Sequence, residues 1–299
     1  MELELRLRKG HPIGQELERI LTGYLELFDN YLTQVNQSTS TNIHEIRRLL
    51  KRMRAYIRFI RVSFTDQDFR KLNEIVGIIN RTLAEVREAR VNLIMFERIK
   101  PKLQNKLIYN SLSGLQKHLE KRCKKMEDDK EGLNEITHRV RTHLLEFTAF
   151  VKSLIKNDFS ETELIQGIED VYRTGKKLYK KAINTEEVEI IHTWRKYVKH
   201  IQFQLQFISG YLPEYYHEKI EILQSVSNYL GEEHDLYVFH IYLKQNYFSR
   251  LTSIERYQIE EIITKRRNKQ KNKAFELAQQ IFDTGTKHFR KEIESFLSF

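Results

Sequence analysis

Histidine followed by cations three, four and seven residues later occurs twice, as His44, Arg47, Arg48, Lys51 and as His192, Arg195, Lys196, Lys199. The copies stand 148 residues apart. At about 100° per residue in a helix, His44, Arg47, Arg48, Lys51 and Arg58 fall within roughly 100° of one another. Ile46, Leu49, Leu50, Met53, Ile57 and Ile60 take the opposite face. The second copy repeats the division, with Trp194, Tyr197, Val198, Ile201 and Leu205 behind its cations. Ordinary surface helices mix charge signs on the wet face. These two carry almost one sign, so a polyanion is the expected partner.

The residue types suit phosphate. Arg47, Arg48, Arg54, Arg58 and Arg195 offer planar guanidinium forks, and Lys51, Lys196 and Lys199 supply mobile point charges. From Arg47 to Arg61 there are seven Arg or Lys and no acid. For His44 and His192 three roles stand: donation to phosphate, which is preferred, packing at a helix start, and metal ligation. Metal ranks last, since two histidines without a carboxylate or thiolate at ligand spacing make a poor set and neighbouring cations repel a metal ion. Arg173 to Lys181 forms a further acid-free run, and Tyr172, Arg173 and Lys176 are expected to continue the basic surface. The run Lys265 to Lys273 reads instead as a solvated interhelical bend. Catalysis finds no support: there is no P-loop, G-x-S-x-G or H-E-x-x-H, and no cofactor is implied.

The elements that position these residues are helices. Only 11 Gly and 3 Pro occur in 299 residues, a scarcity that favours an all-α chain. The single cysteine, Cys123, excludes an internal disulfide and any multi-cysteine metal site. No stretch approaches the roughly 20 apolar residues that span a bilayer, and no signal peptide is visible, so the expectation is a soluble intracellular protein. Apolar residues at three- and four-residue steps give ten helices: 12–35, 43–62, 68–98, 102–126, 132–156, 162–182, 186–208, 214–245, 250–268 and 270–297. Asn42 would cap the second. A break near residue 158 yields two similar halves, 1–157 and 158–299, read as an internal duplication of four-helix-type bundles with approximate two-fold symmetry about a basic groove.

A second element recurs: Leu83 to Glu88 lies 39 residues after His44, and Leu230 to Asp235 lies 38 after His192. Arg87 precedes Glu88, and His234 precedes Asp235; the acid could return to the basic helix and orient one of its cations, or form an ordinary surface ion pair. On these residues, with Tyr172 to Lys177, the chain resembles the CHAD (conserved histidine α-helical domain) proteins over nearly its whole length. It departs from their pattern at His200 and Gln202, where arginines are frequent, at Ala84, and at Arg90. The resemblance implies two four-helix bundles about a basic groove or pore that binds inorganic polyphosphate without catalysis. It implies a stand-alone module in the cytoplasm, with association to polyphosphate granules. The implied contacts are His44, Arg47, Arg48, Lys51, Arg54, Arg58, Arg87, Tyr172, Arg173, Lys176, His192, Arg195, Lys196 and Lys199. Nucleic acid is the runner-up partner, because phosphate-directed affinity uses the same cations; no membrane partner is expected.

Overall fold

The computed structural model describes residues 5–103, 109–155, 159–185 and 187–297. Eleven α-helices and no strand occur among them: α1 (Ile13–Thr33), α2 (Thr39–Phe59), α3 (Asp66–Thr82), α4 (Ala84–Leu103), α5 (Tyr109–Asp128), α6 (Lys130–Leu154), α7 (Glu161–Ala182), α8 (Val188–Phe207), α9 (Glu214–Asn246), α10 (Ser253–Phe282) and α11 (Thr286–Leu297). The all-α expectation holds. The expected division near residue 158 falls at residues 156–158, outside the described residues.

Helix starts follow local chemistry. Thr65 with Asp68, Ser160 with Glu163, and Thr252 with Glu255 form reciprocal capping boxes that satisfy exposed first-turn N–H groups of α3, α7 and α10. Asp129 caps α6 by accepting from the Gly132 N–H at 3.0 Å. Asn42 does not cap α2. The helix begins earlier, at Thr39, and Asn42 is buried inside it, donating to the Gln34 carbonyl at 2.7 Å.

Helix boundaries differ from the periodicity reading, and the helix expected over 270–297 is itself broken at residues 283–285, between α10 and α11. The single helix expected over 68–98 is two, because the buried Leu83 leaves helical geometry with φ −90° and ψ 0°. The gap expected between residues 98 and 102 is absent, and Pro101 sits in the last turn of α4. The break expected between residues 268 and 270 is absent. α10 runs through the Lys265 to Lys273 segment, because Lys, Arg and Gln are good helix formers and Ile259, Ile262, Ile263, Ala274, Ala278 and Ile281 keep one side buried.

Two apolar clusters hold the molecule. The larger joins Leu17, Leu21 and Tyr24 of α1 and Ile46, Leu50 and Met53 of α2 to Trp194, Val198 and Ile201 of α8. The smaller joins Phe96 and Ile99 of α4 and Leu115 of α5 to Leu236 and Phe239 of α9 and Ile259 and Ile263 of α10. Each cluster therefore draws on both sides of residue 158. α2 packs on α8, α8 on α9, and α4 on α5, α9 and α10. That packing sets the basic faces of α2 and α8 beside α4 and α9.

Candidate anion-binding site

The burial of Ile46, Leu49, Leu50 and Met53 turns the polar side of α2 away from the core. A cleft of about 730 Å³ opens there. α2 contributes His44, Arg47, Arg48, Lys51 and Arg52, and α8 contributes Arg195, Lys199 and Phe203. From α4 come Arg87 and Arg98, and from α9 come Gly231, Glu232 and Asp235. The structure thus brings together His44, Arg47, Arg48, Lys51, Arg87, Arg195 and Lys199 of the expected residues.

Charge is crowded in this seam. Burial first, then Lys199, Arg195, Arg47 and Arg87, push the Lys51 ammonium well below its ordinary pKa. Burial and Arg195 bring Lys199 down to about 7. Arg47 falls to about 10 through burial and then Arg87, and its guanidinium donates to the Asn80 carbonyl at 3.0 Å. Burial also lowers Arg195, against the pull of Asp235. Asp235 is the counter-charge: burial raises its pKa, but Arg87 and Arg195 outweigh that and hold it below the usual carboxylate value. It accepts a hydrogen bond from Arg87. The returning acid was expected to orient a cation of a histidine helix; its hydrogen-bond partner is instead Arg87, on the α4 copy of the same recurring segment. At the rim, Arg48 pairs with Glu45 at 3.0 Å. His44 is lowered by burial and then Lys51.

The remaining cations of the two helices lie beyond the cleft lining, toward α3. Arg58 donates to the Arg54 carbonyl at 3.2 Å and stands over the Phe69 and Tyr197 rings at 5.2 and 5.9 Å. Burial and then Arg58 lower Arg54. Burial and then Arg54 lower Lys196. His192 packs against His234, ring centroids 4.1 Å apart. Burial and then His234 push His192 down to about 3, and burial and then Arg195 push His234 down to about 4. His192 is therefore a neutral packed ring at neutral pH in the ligand-free protein.

Tyr172, Arg173 and Lys176 do not join the cleft. Tyr172 is fully buried, stacks on Phe289 at 3.9 Å between centroids, and donates its hydroxyl toward the Ile281 and Thr284 carbonyls, each at 2.8 Å. Arg173 pairs with Asp170 and Glu169 along its own helix. Lys176 donates to the Thr284 carbonyl at 2.6 Å, just past the end of α10. The helical phase of α7 turns this acid-free run toward α10 and α11, which the charge pattern alone does not reveal. The start of the run at 265–273 is also paired. Arg266 pairs with Glu232, Arg267 with Glu233 and Lys265 with Glu261, which ties α10 to α9 and along itself.

Arg52, Arg98, Glu232 and Gly231 complete the cleft without having been singled out. Arg52 had a signal, since it lies in the acid-free Arg47 to Arg61 segment, and its guanidinium stands 5.4 Å from the Phe203 ring centre. Gly231 lies in the recurring Leu230 to Asp235 segment, but its role was not legible there: a methyl would meet the Arg195 guanidinium at 3.1 Å, so the missing side chain makes room for it. Among the described residues no three His, Cys, Asp or Glu side chains gather where a metal ion could be held. No described helix is long and apolar enough to cross a membrane.

By architecture the molecule is an all-helical protein whose two apolar clusters each span the chain. The CHAD domain family model matches residues 19–244, and the chain belongs to that family. It is also similar to the crystal structure of the CHAD domain from the plant Ricinus communis, at 16% identity and a TM-score of 0.64, over 98% of this chain and 95% of that one. At that identity the likeness speaks for the fold alone. A search of curated proteins finds no match.

Proposed function

We propose that the protein binds inorganic polyphosphate in the α2–α8 cleft and is a targeting or sequestering module rather than an enzyme. One observation carries the reading: Arg47, Lys51, Arg87, Arg195 and Lys199 converge in a cleft whose lining carboxylates are Asp235, paired with Arg87, and Glu232, paired with Arg98 and Arg266. Like charges held together at partial burial repel one another, and a linear polyanion relieves that repulsion without a shaped pocket. The pairing across the cleft supports the proposed duplication as well. Arg87 meets Asp235 and Lys51 feels Lys199, and both pairs are separated by the 148-residue offset of the two histidine motifs. A two-fold axis places equivalent residues beside one another in this way. On this reading residues 1–157 and 158–299 are the two repeats of one domain, working in the cytoplasm beside polyphosphate granules.

The test is competition between long-chain polyphosphate and single- or double-stranded nucleic acid of equal charge. Polyphosphate should bind tighter, with affinity falling steeply as salt rises because each phosphate contact releases counterions. Equal or tighter binding of nucleic acid would move the function to that class.

A further inference from the structure

Beside the cationic cleft lies a second cavity of about 230 Å³, walled by Ile43, Val86, Val91 and Ile94. The two spaces share His44, Arg87, Val91 and Ile94 as walls, so a ligand in one adjoins the other. Ile94 is 37% exposed, an apolar surface set against a concentrated positive charge. A bare phosphate chain has nothing to cover it with, whereas a ligand joining phosphates to a flat apolar group does. The size is informative too. Complete small-molecule pockets run from about 300 to 1,000 Å³, so this cavity suits part of a ligand whose remainder lies in the cleft.

Resting on the phosphate-binding reading of the cleft, we propose that the two cavities together take a nucleoside polyphosphate. Its phosphates lie on Arg47, Lys51 and Arg87, and its base enters the apolar side cavity. A heterocyclic base is favoured over an acyl chain by two features. The side cavity is small, and the hydroxyl-bearing Ser40 and Thr41 line it, offering partners to a polar ring edge. Arg90, also in the lining, supplies a guanidinium plane able to stack on a ring.

The test compares tripolyphosphate with adenosine and guanosine triphosphate by calorimetric titration at fixed low salt, using the full chain. Bare tripolyphosphate carries more charge at a given pH, so electrostatics alone makes it the tighter ligand. The proposal expects the reverse, with a nucleoside triphosphate at least about tenfold tighter, the factor that 1.4 kcal/mol of base burial gives. Thr41→Leu and Val86→Leu narrow the side cavity without touching the cleft. Either should abolish the nucleoside advantage and leave tripolyphosphate affinity unchanged. Tripolyphosphate binding as tightly as the nucleotides overturns the side-cavity proposal and leaves the cleft reading standing. Equal losses for both ligands in both variants overturn it as well. Failure of tripolyphosphate, long-chain polyphosphate and nucleotides alike removes the cleft reading and this proposal with it.

Discussion

At the scale of single residues, the proposed function predicts that the cleft's cations cost stability in the free protein and repay it in ligand binding. Replacing Lys51 or Arg195 with Met should weaken polyphosphate binding by about 1–3 kcal/mol, the range for hydrogen bonds to charged groups. The same changes should leave the melting temperature unchanged or raise it, because they remove a partly buried charge from among like charges. Titration and thermal melts on the same samples check both halves. The pH dependence has a definite sign. Lys199 holds its proton up to about pH 7 in the folded protein and to about 10.4 when unfolded. Between those values the unfolded chain binds more protons, so stability of the ligand-free protein should rise with pH, by at most about 1.4 kcal/mol per pH unit from this group. Denaturant melts from pH 7 to 9.5 should show the rise, and Lys199→Met should flatten it. On the acid side, His192 and His234 have folded values of about 3 and 4. The unfolded chain takes up their protons first, so stability should be lost as pH falls below about 6.5.

At the scale of helices, close approach and core packing hold the cations where they are. A methyl on Gly167 of α7 would lie 2.4 Å from the Phe59 carbonyl oxygen at the end of α2, with backbone on both sides of the contact. Gly167→Ala should therefore destabilise the fold by on the order of 1–3 kcal/mol, the usual range for overpacking. Gly231→Ala meets the movable end of Arg195 instead. It should leave the melting temperature nearly unchanged while weakening polyphosphate binding, and the contrast between the two alanines in parallel melts and titrations is the check. Behind the basic faces, Leu49 is 2% and Ile201 1% exposed. Leu49→Ala or Ile201→Ala should each cost roughly 2–5 kcal/mol through the cavity left behind, read by denaturant unfolding.

At the scale of the whole molecule, both apolar clusters cross the middle of the chain. A fragment ending near residue 157 strands the α1–α2 side of the larger cluster without Trp194, Val198 and Ile201. Each half expressed alone should show little cooperative unfolding in melts followed by circular dichroism, and mixing the halves should restore it. Independent, cooperative folding of either half would make the repeats separate domains. If polyphosphate binds the assembled molecule as proposed, it should raise the melting temperature of the intact chain, and more so at low salt.

Composition and three-residue periodicity determined the all-α class, because glycine and proline scarcity and a one-sided apolar stripe are local properties. The histidine-led, cation-rich segments likewise marked α2 and α8, since helical phase alone segregates Arg47 and Lys51 from Ile46 and Leu50. What lay beyond local phase was left to packing. Tyr172 and Lys176 carry the same local signal as Lys51, yet α7 presents them to α10 and α11. Arg266 and Arg267 read as solvated charge until α9 set Glu232 and Glu233 against them. His192 reads as a phosphate donor from its place in the motif, whereas its contact with His234, 42 residues on, is set by α9 packing against α8. Gly231 shows its purpose only beside Arg195. Which side of a helix is polar follows from the order of its residues; what that side faces is fixed by the other helices, through side-chain shape and charge at contacts far apart in the chain.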